Sequence, residues 1–380
     1  MTEPAGDPRR VAIAAIVRID DEGAYANVVL PRMLAESTLD GRDRGFATEL
    51  VYGSTRMKRR LDHLVDRFLL EPPPPSARAA LRIGAHQLLH LDTPPHAAVS
   101  ATVAAAPKRF RGLVNAVLRK VATGVGEGVT FPSVATDLSY PDWIVERLQA
   151  DLGADRGRLA LETMNTAAGV HTRDDGYVQD PSSQAVAAAV PASVGDLVLD
   201  VCAAPGGKAT ALAQRGARVI AADRRFGRVG LITENRERLD LDDLHVAQAD
   251  ATTPPFAPET FDAVLVDAPC SGLGALRRRA DARWRIQPDD VGELAALQRA
   301  ILLATAPLVR TGGTLVYSVC TLTRAESTDV VAATAGALAD LGFVADLPVP
   351  QRWEPYGTDT LVLVPGSDAD GMALARWVRR

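Results

Sequence analysis

Apolar residues recur at three- and four-residue spacings through about the first 120 residues of the chain. The spacing is clearest in four stretches, at 11–19, 46–69, 77–91 and 111–122. Prolines interrupt the pattern between these stretches, at positions 31, 72–75 and 94–95. Strand-like alternation is scarce here, so the pattern predicts an all-α domain of about six short helices over residues 1–125.

The next segment has a different composition. Residues 123–133 are rich in glycine and nearly uncharged, which suits a linker. Helical spacing returns at 141–165. We therefore interpret residues 126–175 as a linker followed by connector helices.

From residue 177 onward, short apolar runs alternate with segments of helical spacing. The runs lie at 197–201, 217–223, 244–250, 261–268, 313–320 and 360–365. The helical candidates lie between them, at 208–215, 226–239, 289–309 and 323–340. Nearly continuous apolar strands that alternate with helices favour a Rossmann-like α/β domain with a largely parallel sheet over residues 176–380.

Composition excludes several classes of function but says little about the fold. The formal charge of the 380 residues is −5, so any nucleic-acid binding must depend on local basic patches. We find neither an apolar run of the roughly 18 residues that a membrane span needs nor a secretory signal, and expect a cytoplasmic protein with no membrane partner. The 3 cysteines suit neither a disulfide framework nor a zinc site, so we predict no metal.

Polar and glycine-rich residues follow the predicted strands, where open parallel sheets bind their ligands. The first strand leads into a loop of Cys202, Ala203, Ala204, Pro205, Gly206, Gly207 and Lys208. Its adjacent glycines allow close approach to a ligand just before a helix begins. Asp223 ends the next strand at a distance that suits recognition of a ribose, and Asp250 and Asp267 close two further strands. The alternative is a tight turn followed by exposed strand-end aspartates.

The loop has neither the G-x-G-x-x-G pattern of dinucleotide enzymes nor the G-x-x-x-x-G-K-[ST] pattern of polyphosphate sites. A smaller nucleoside ligand therefore fits it better. On this architecture we expect that ligand to be S-adenosylmethionine.

All three cysteines lie at predicted strand ends. A buried cysteine is usually inert, but three at one ligand-facing edge favour a chemical role. Cys202 lies inside the cofactor turn and is expected to be structural. Cys270 and Cys320 suit carbon methylation of a pyrimidine, because a thiolate that adds to C6 makes C5 nucleophilic. The residues alone leave open which of these two cysteines attacks.

Three motifs resemble the Sun/Fmu-type RNA cytosine-5 methyltransferases. They are DVCAAPGGKAT at 200–210, VLVDAPCSGLGALRRR at 264–279 and GGTLVYSVCTLTRAES at 312–327. Three N-terminal stretches, at 43–65, 81–103 and 112–121, resemble the NusB-like RNA-binding domain that precedes the catalytic domain in the bacterial subfamily. The resemblance implies a class I S-adenosylmethionine-dependent methyltransferase domain after an all-α NusB-like domain.

The resemblance also implies roles for the residues of the cofactor site. The loop Cys202–Lys208 would contact the cofactor, and Asp223 would hold the ribose with Arg228 nearby. Asp250 would lie by the adenine. Asp267 would lie near the methionine end of the cofactor and the target base.

For catalysis, the resemblance implies that Cys320 is the nucleophile and that Cys270 assists release of the product. The substrate implied is a cytosine of 16S rRNA, possibly in an assembling small subunit, and the enzyme would act as a monomer. Two segments, at 164–166 and 370–373, differ from the family pattern. Both lie in parts of the chain that the resemblance implies face the RNA.

Two basic clusters are candidates for phosphate contact, with a solvated charged face as the alternative. One consists of Arg277, Arg278, Arg279, Arg283 and Arg285, and the other of Lys108, Arg109, Arg111, Arg119 and Lys120. Trp284 is expected either to stack on a base or to pack in the core. Two other functions stay open: a methyltransferase for DNA or another RNA, and a non-catalytic RNA-binding assembly or antitermination factor.

Overall fold

The computed structural model describes residues 6–91, 93–347 and 351–380. The chain forms two compact units. The first contains the residues up to Glu146 together with Arg277–Arg285, and the second contains Arg147–Leu276 together with Ile286–Arg380.

The first unit is helical. Its helices are α1 Pro8–Asp20, α2 Ala26–Ala35, α3 Gly41–Arg56, α4 Lys58–Asp66, α5 Pro75–His90, α6 Pro95–Ala105, α7 Arg111–Gly126, α8 Val134–Asp137 and the start of α9 Asp142–Leu152. The Asp7 and Asp40 side chains cap the first turns of α1 and α3. Apolar faces of these helices meet in one core around Ile16, Leu50 and Leu81. This confirms the expected all-α N-terminal domain.

The glycine-rich stretch 123–133, which suits a linker by composition, is helical at its start. Helix α7 continues through the glycine-rich residues as far as Gly126. Val121 is buried and Val125 is partly buried against the same core as the rest of the helix. Packing of this apolar face therefore outweighs the low helix propensity of Gly124 and Gly126.

Residues 277–285 belong to the helical unit, which corrects part of the predicted phosphate site. Arg277 is 2% exposed and Arg283 is fully buried, with its guanidinium 3.9 Å from the centre of the Tyr140 ring. The Trp284 indole donates a 2.7 Å hydrogen bond to the Thr55 carbonyl, so it packs within the unit. Phosphate contact by Arg277 and Arg283 is a wrong prediction, because both side chains are enclosed by protein.

Arg285 also has a structural role. Its guanidinium donates to the carbonyl oxygens of Gly23 and Ala24 and pairs with Asp281 at 3.0 Å. Of the five arginines in this cluster, Arg279 is the exposed one. In the second cluster Lys108, Arg109, Arg119 and Lys120 are exposed.

The second unit contains a mixed sheet of nine strands within the described residues. The strands are β1 Leu197–Asp200, β2 Arg218–Asp223, β3 Leu244–Gln248, β4 Phe261–Asp267, β5 Val309–Val319, β6 Phe343–Ala345, β7 Glu354–Pro355, β8 Leu361–Leu363 and β9 Met372–Arg379. The helices are α10 Ala154–Thr163, α11 Pro181–Ala189, α12 Gly207–Ala213, α13 Phe226–Arg238, α14 Pro288–Thr305 and α15 Thr328–Asp340, with the end of α9.

The strand order is β3-β2-β1-β4-β5-β9-β8-β7, and β6 also pairs with β9. The first five strands are parallel, while β9 runs antiparallel to β5. Alternate residues face opposite sides of the sheet, so Val198 and Leu199 enter two different apolar clusters. Helices cover both clusters, which confirms the predicted α/β fold.

Strand β9 was not predicted. Its sequence, MALARWVR, contains two alanines and two arginines, which are poor strand formers in isolation. It is nevertheless hydrogen-bonded to β5 on one side and to β8 and β6 on the other. Pairing on both edges therefore determines its conformation.

One helical stretch, Pro288–Leu308, is long and apolar enough by composition to span a membrane, with a mean hydropathy of 1.2. Core helices of soluble proteins can be equally long and apolar, and 44% of the apolar part of this helix is buried in the fold. Ile301 and Leu302 belong to the core on one face of the sheet.

Candidate active site

The carboxyl ends of the parallel strands carry most of the predicted site residues. Strands β1, β2 and β4 end at Asp200, Asp223 and Asp267, and Cys320 follows the end of β5. Because these strands are parallel neighbours, their ends lie along one edge of the sheet. This edge is the place where open α/β sheets bind ligands.

The loop between β1 and α12 needs glycine at two positions. Gly206 has a φ of 107°, a conformation that side chains rarely adopt. A Cβ on Gly207 would lie 3.1 Å from the Gln179 amide nitrogen and 3.2 Å from the Tyr177 hydroxyl. The Arg173 guanidinium also donates a 2.7 Å hydrogen bond to the Gly207 carbonyl. The two glycines therefore allow this turn to form under the side chains that pack on it.

Asp223 is connected to the same loop through an arginine. Its carboxylate accepts a 3.0 Å hydrogen bond from the Arg225 amide and lies 3.2 Å from Nε of Arg228. Arg228 in turn donates to the Ala204 carbonyl at 2.5 Å. Asp223 is 8% exposed, so its carboxylate is held in a defined position beside the loop.

Asp250 follows β3 and is more open to solvent. Its carboxylate accepts hydrogen bonds from the amide and hydroxyl of Thr252 at 2.9 and 2.7 Å. These bonds, with the more distant Arg224, lower the pKa of Asp250 below its usual value. Asp250 is therefore a charged acceptor after β3, held by its own turn.

Lys208 and Asp267 form an ion pair at the centre of this edge. The Lys208 ammonium lies 2.7 Å from one Asp267 oxygen, and the Ser318 hydroxyl donates to the other at 2.7 Å. Burial lowers the pKa of Lys208, but the charges of Asp267, Asp200 and Cys320 outweigh burial and raise it. Lys208 is therefore a positive charge paired with Asp267, and it interacts electrostatically with Cys320, one of the two candidate cysteines.

Asp200 was quoted in the first motif but was not predicted as a site residue. It is fully buried, and neither carboxylate oxygen accepts a hydrogen bond of normal geometry among the described residues. Burial and the charge of Asp267 raise the pKa of Asp200 to about 7, against the opposing effect of Lys208. The ammonium of Lys208 therefore lies among the charges of two acidic residues.

The two candidate catalytic cysteines come together although they are 50 residues apart in the chain. Their Sγ atoms are 3.2 Å apart, neither cysteine is in a disulfide, and both are partly exposed. Cys202 is different: burial and the charges of Asp200 and Asp267 raise the pKa of its thiol far above the usual range. Cys202 lies in the cofactor loop, and its structural role stays a prediction.

The surroundings of the two catalytic thiols are unequal. The hydrogen bond to Cys320, burial, and the charges of Cys320 and Glu326 raise the pKa of the Cys270 thiol well above its usual value. The amide of Gly272 opposes this effect. Negative charge therefore lies near Cys270, whereas the positive charge of Lys208 interacts with Cys320.

Glu326 was missed by sequence reasoning. It stands in the polar end of the third motif and looks there like an exposed glutamate, but it is fully buried. Its carboxylate accepts hydrogen bonds from residues next to both cysteines, Ser271 and Thr321. The signal in the sequence is the set of hydroxyl residues that follows each cysteine.

Comparison with known proteins identifies the family of both units. The sequence profile of the 16S rRNA methyltransferase RsmB/F family matches residues 188–377, and that of the NusB family matches residues 7–123. The chain belongs to the 16S rRNA methyltransferase RsmB/F family. The resemblance found in the three motifs is thereby confirmed, as is the NusB-like nature of the helical unit.

Relatives of the RsmB/F family match the chain over most of its length. It is 32% identical to the probable ribosomal RNA small subunit methyltransferase B of Bacillus subtilis, covering 92% of this chain and 93% of the relative. It is 37% identical to the ribosomal RNA small subunit methyltransferase B of Thermus thermophilus, covering 87% of each. The chain is therefore a member of a family of RNA methyltransferases.

The fold has a solved counterpart. The crystal structure of PH0851 covers 100% of both chains with a TM-score of 0.77 and 19% identity. At this identity the likeness concerns the fold alone. Within the described residues of this RsmB/F protein, no group of three or more His, Cys, Asp and Glu residues could hold a metal ion.

Proposed function

We propose that this protein transfers a methyl group from S-adenosylmethionine to C5 of a cytosine in 16S rRNA, through a covalent bond between Cys320 and C6 of the base. The observation that carries this proposal is the pair of cysteine thiols, 3.2 Å apart at the sheet edge that also carries the Lys208–Asp267 ion pair. A methyltransferase that modifies an oxygen or an exocyclic nitrogen has no need for two thiols at one site.

The residues at the sheet edge fit S-adenosylmethionine. The turn at Gly206 and Gly207 presents backbone rather than side chains, and Asp223 offers a positioned carboxylate for a ribose. Asp250 is a charged acceptor suited to the adenine side, and Asp267 to the methionine side of the cofactor. The bound cofactor supplies an activated methyl group on a positively charged sulfur.

The cysteine pair supports the covalent steps. The Cys320 thiolate adds to C6, and the electrons of the 5,6 double bond make C5 nucleophilic enough to accept the methyl group. Cys270, after its own proton has left to solvent, removes the C5 proton as a thiolate. The C6–S bond then breaks, which restores the aromatic ring and returns the Cys320 thiolate. One proton is released to solvent in each turnover.

The unequal electrostatics of the thiols support this order of roles. A positive charge stabilises a thiolate, whereas a negative charge favours the protonated form. Lys208 interacts with Cys320, and Glu326 lies near Cys270. Cys320 is therefore the better candidate for attack, as the resemblance implied.

For RNA binding we propose the exposed basic residues of the helical unit, which includes Arg277–Arg285. Arg279, Lys108 and Arg109 are exposed, so they can contact phosphates without unfolding. Since the proposed substrate is ribosomal RNA, we propose a cytoplasmic location.

Bisulfite sequencing tests the reaction. Incubation of unmodified 16S rRNA or small subunits with the protein and S-adenosylmethionine should leave one new cytosine resistant to deamination. Duplex DNA and unrelated RNA serve as controls for substrate class. The absence of any resistant cytosine, with cofactor binding intact, would favour the alternative of a non-catalytic RNA-binding factor.

Asp223→Ala should weaken binding of S-adenosylmethionine by about 1–3 kcal/mol, because it removes a charged hydrogen-bond acceptor. Isothermal titration calorimetry on the full chain measures the loss directly. Glu234→Ala, on the exposed side of α13, is the matched control and should retain the wild-type affinity. Equal affinities for the Asp223 variant and wild type would show that this carboxylate does not hold the cofactor.

A further inference from the structure

Glu326 connects the two loops that carry the catalytic cysteines. One carboxylate oxygen accepts hydrogen bonds from the Ser271 amide at 2.7 Å and from the Gln298 amide at 3.2 Å. The other accepts from the hydroxyls of Ser271 at 2.5 Å, Thr323 at 2.9 Å and Thr321 at 3.2 Å. Ser271 directly follows Cys270, and Thr321 directly follows Cys320.

This buried carboxylate is unusual in its partners. All five of these hydrogen bonds come from neutral donors: a backbone amide, three hydroxyls and a carboxamide. Buried carboxylates are costly unless they are fully hydrogen-bonded, and five donors satisfy most of the capacity of this one. None of these five partners carries a positive charge, so the carboxylate of Glu326 is not ion-paired by them.

A second layer of hydrogen bonds holds Glu326 in place. The Tyr317 hydroxyl lies 2.6 Å from the Glu326 carbonyl and 3.1 Å from the Gln298 side chain. Gln298 also donates to the carbonyl of Pro269, one residue before Cys270. The network therefore connects β5, α14 and both cysteine loops, and explains why the thiols meet.

We propose that Glu326 is a positioning residue of the cysteine pair: it ties the two cysteine loops together, and its charge keeps Cys270 protonated until Cys320 has bonded to the base. The catalytic half of this proposal, the effect of the Glu326 charge on Cys270 during the reaction, rests on the proposed function. The ionisable groups that act on Cys270 are Cys320, Glu326 and Tyr317. Loss of the Cys320 charge on bonding to carbon lets Cys270 release its proton, and Glu326 makes the resulting thiolate a stronger base.

Glu326→Gln tests the charge while preserving the hydrogen bonds. A glutamine amide has two N–H donors, so it can donate to two of the three hydroxyls of Ser271, Thr321 and Thr323, because hydroxyls accept as well as donate. Its carbonyl oxygen can keep the other two hydrogen bonds. In a Cys320→Ser background, alkylation of Cys270 by iodoacetamide is followed by peptide mass spectrometry across pH. Removal of the charge should shift the Cys270 profile to lower pH and raise its rate at neutral pH about tenfold.

Two variants separate charge from position. Glu293→Gln removes the same charge from an exposed site on α14 and should leave the Cys270 profile unchanged. Ser271→Ala removes one hydroxyl donor and keeps the Glu326 charge, so it should lower thermal stability and leave the profile in place. An unchanged Cys270 profile in Glu326→Gln, in a protein that melts like its parent, overturns the proposal.

Methylation kinetics test the catalytic half. In the otherwise wild-type chain, Glu326→Gln should lower kcat about tenfold with KM for RNA changed less than twofold, as expected when substrate contacts are untouched. A shifted alkylation profile with unchanged kcat overturns the catalytic half. The alkylation experiment contains no RNA or cofactor, so its result does not depend on the proposed function. Failure of the proposed function would appear instead as methylation that persists when Cys320 is replaced by alanine.

Discussion

Cys320→Ala should abolish methylation of 16S rRNA, because it removes the thiol that is proposed to make the bond to C6. The loss should exceed about 10³-fold, since the uncatalysed methylation of C5 has no low-energy route without a covalent nucleophile. Binding of S-adenosylmethionine and RNA should survive, because neither requires that thiol. Methyl transfer from radiolabelled cofactor, with calorimetry for binding, measures the two effects separately.

Cys270→Ala should fail in a different way. Attack by Cys320 remains possible, but removal of the C5 proton is impaired, so a protein–RNA adduct should accumulate. Denaturing gels should show this adduct in Cys270→Ala and not in Cys320→Ala. RNA with 5-fluorocytosine at the target should trap the wild type as well, because fluorine cannot leave as a proton does.

The opposite pattern would overturn the assignment. If Cys320→Ala forms the adduct and Cys270→Ala does not, the two roles are exchanged. If neither variant loses methylation, the reaction is not covalent and the thiols are packing residues. Thermal melting of both variants controls for misfolding, since each replaces a partly exposed side chain.

The placement of both cysteines at one edge of the sheet could be predicted, because the ends of parallel strands lie at the same edge. Cys270 and Cys320 each follow a predicted apolar strand, and neighbouring parallel strands end at the same edge. The same reasoning placed Asp223 and Asp267 at that edge. Periodicity does not say which strands are neighbours, so the short distance between the two thiols could not be predicted from it.

Burial of charged residues could not be predicted from the same patterns. Arg283 lies in a segment with five arginines that looks like a solvated surface, yet the Tyr140 ring covers its guanidinium. Glu326 lies among polar residues, and its burial depends on donors about 30 to 55 residues away in the chain. In both cases long-range partners decide the environment, and these leave no periodic signal.

Lys208→Met should reduce methylation about 10²-fold at neutral pH. Lys208 lies in the cofactor loop, but its ammonium also interacts with the charge of Cys320. A nearby opposite charge changes a thiol's acidity by about 1–3 pH units, which corresponds to a tenfold to thousandfold change in thiolate at neutral pH. The pH–rate profile of the variant should therefore move to higher pH, with part of the lost activity recovered in alkaline buffer.

The double variant Lys208→Met/Asp267→Asn distinguishes this effect from structural damage. Removal of Lys208 alone leaves Asp267 and the fully buried Asp200 without their cation, so thermal stability should fall. The second substitution neutralises Asp267 and should recover much of the stability. If Lys208 stabilises the thiolate, the alkaline shift should be largest in Lys208→Met, and removal of the negative charge of Asp267 should reverse part of it in the double variant. A pH–rate profile parallel to that of the wild type, with cofactor affinity measured separately, would show instead that Lys208 serves the cofactor alone.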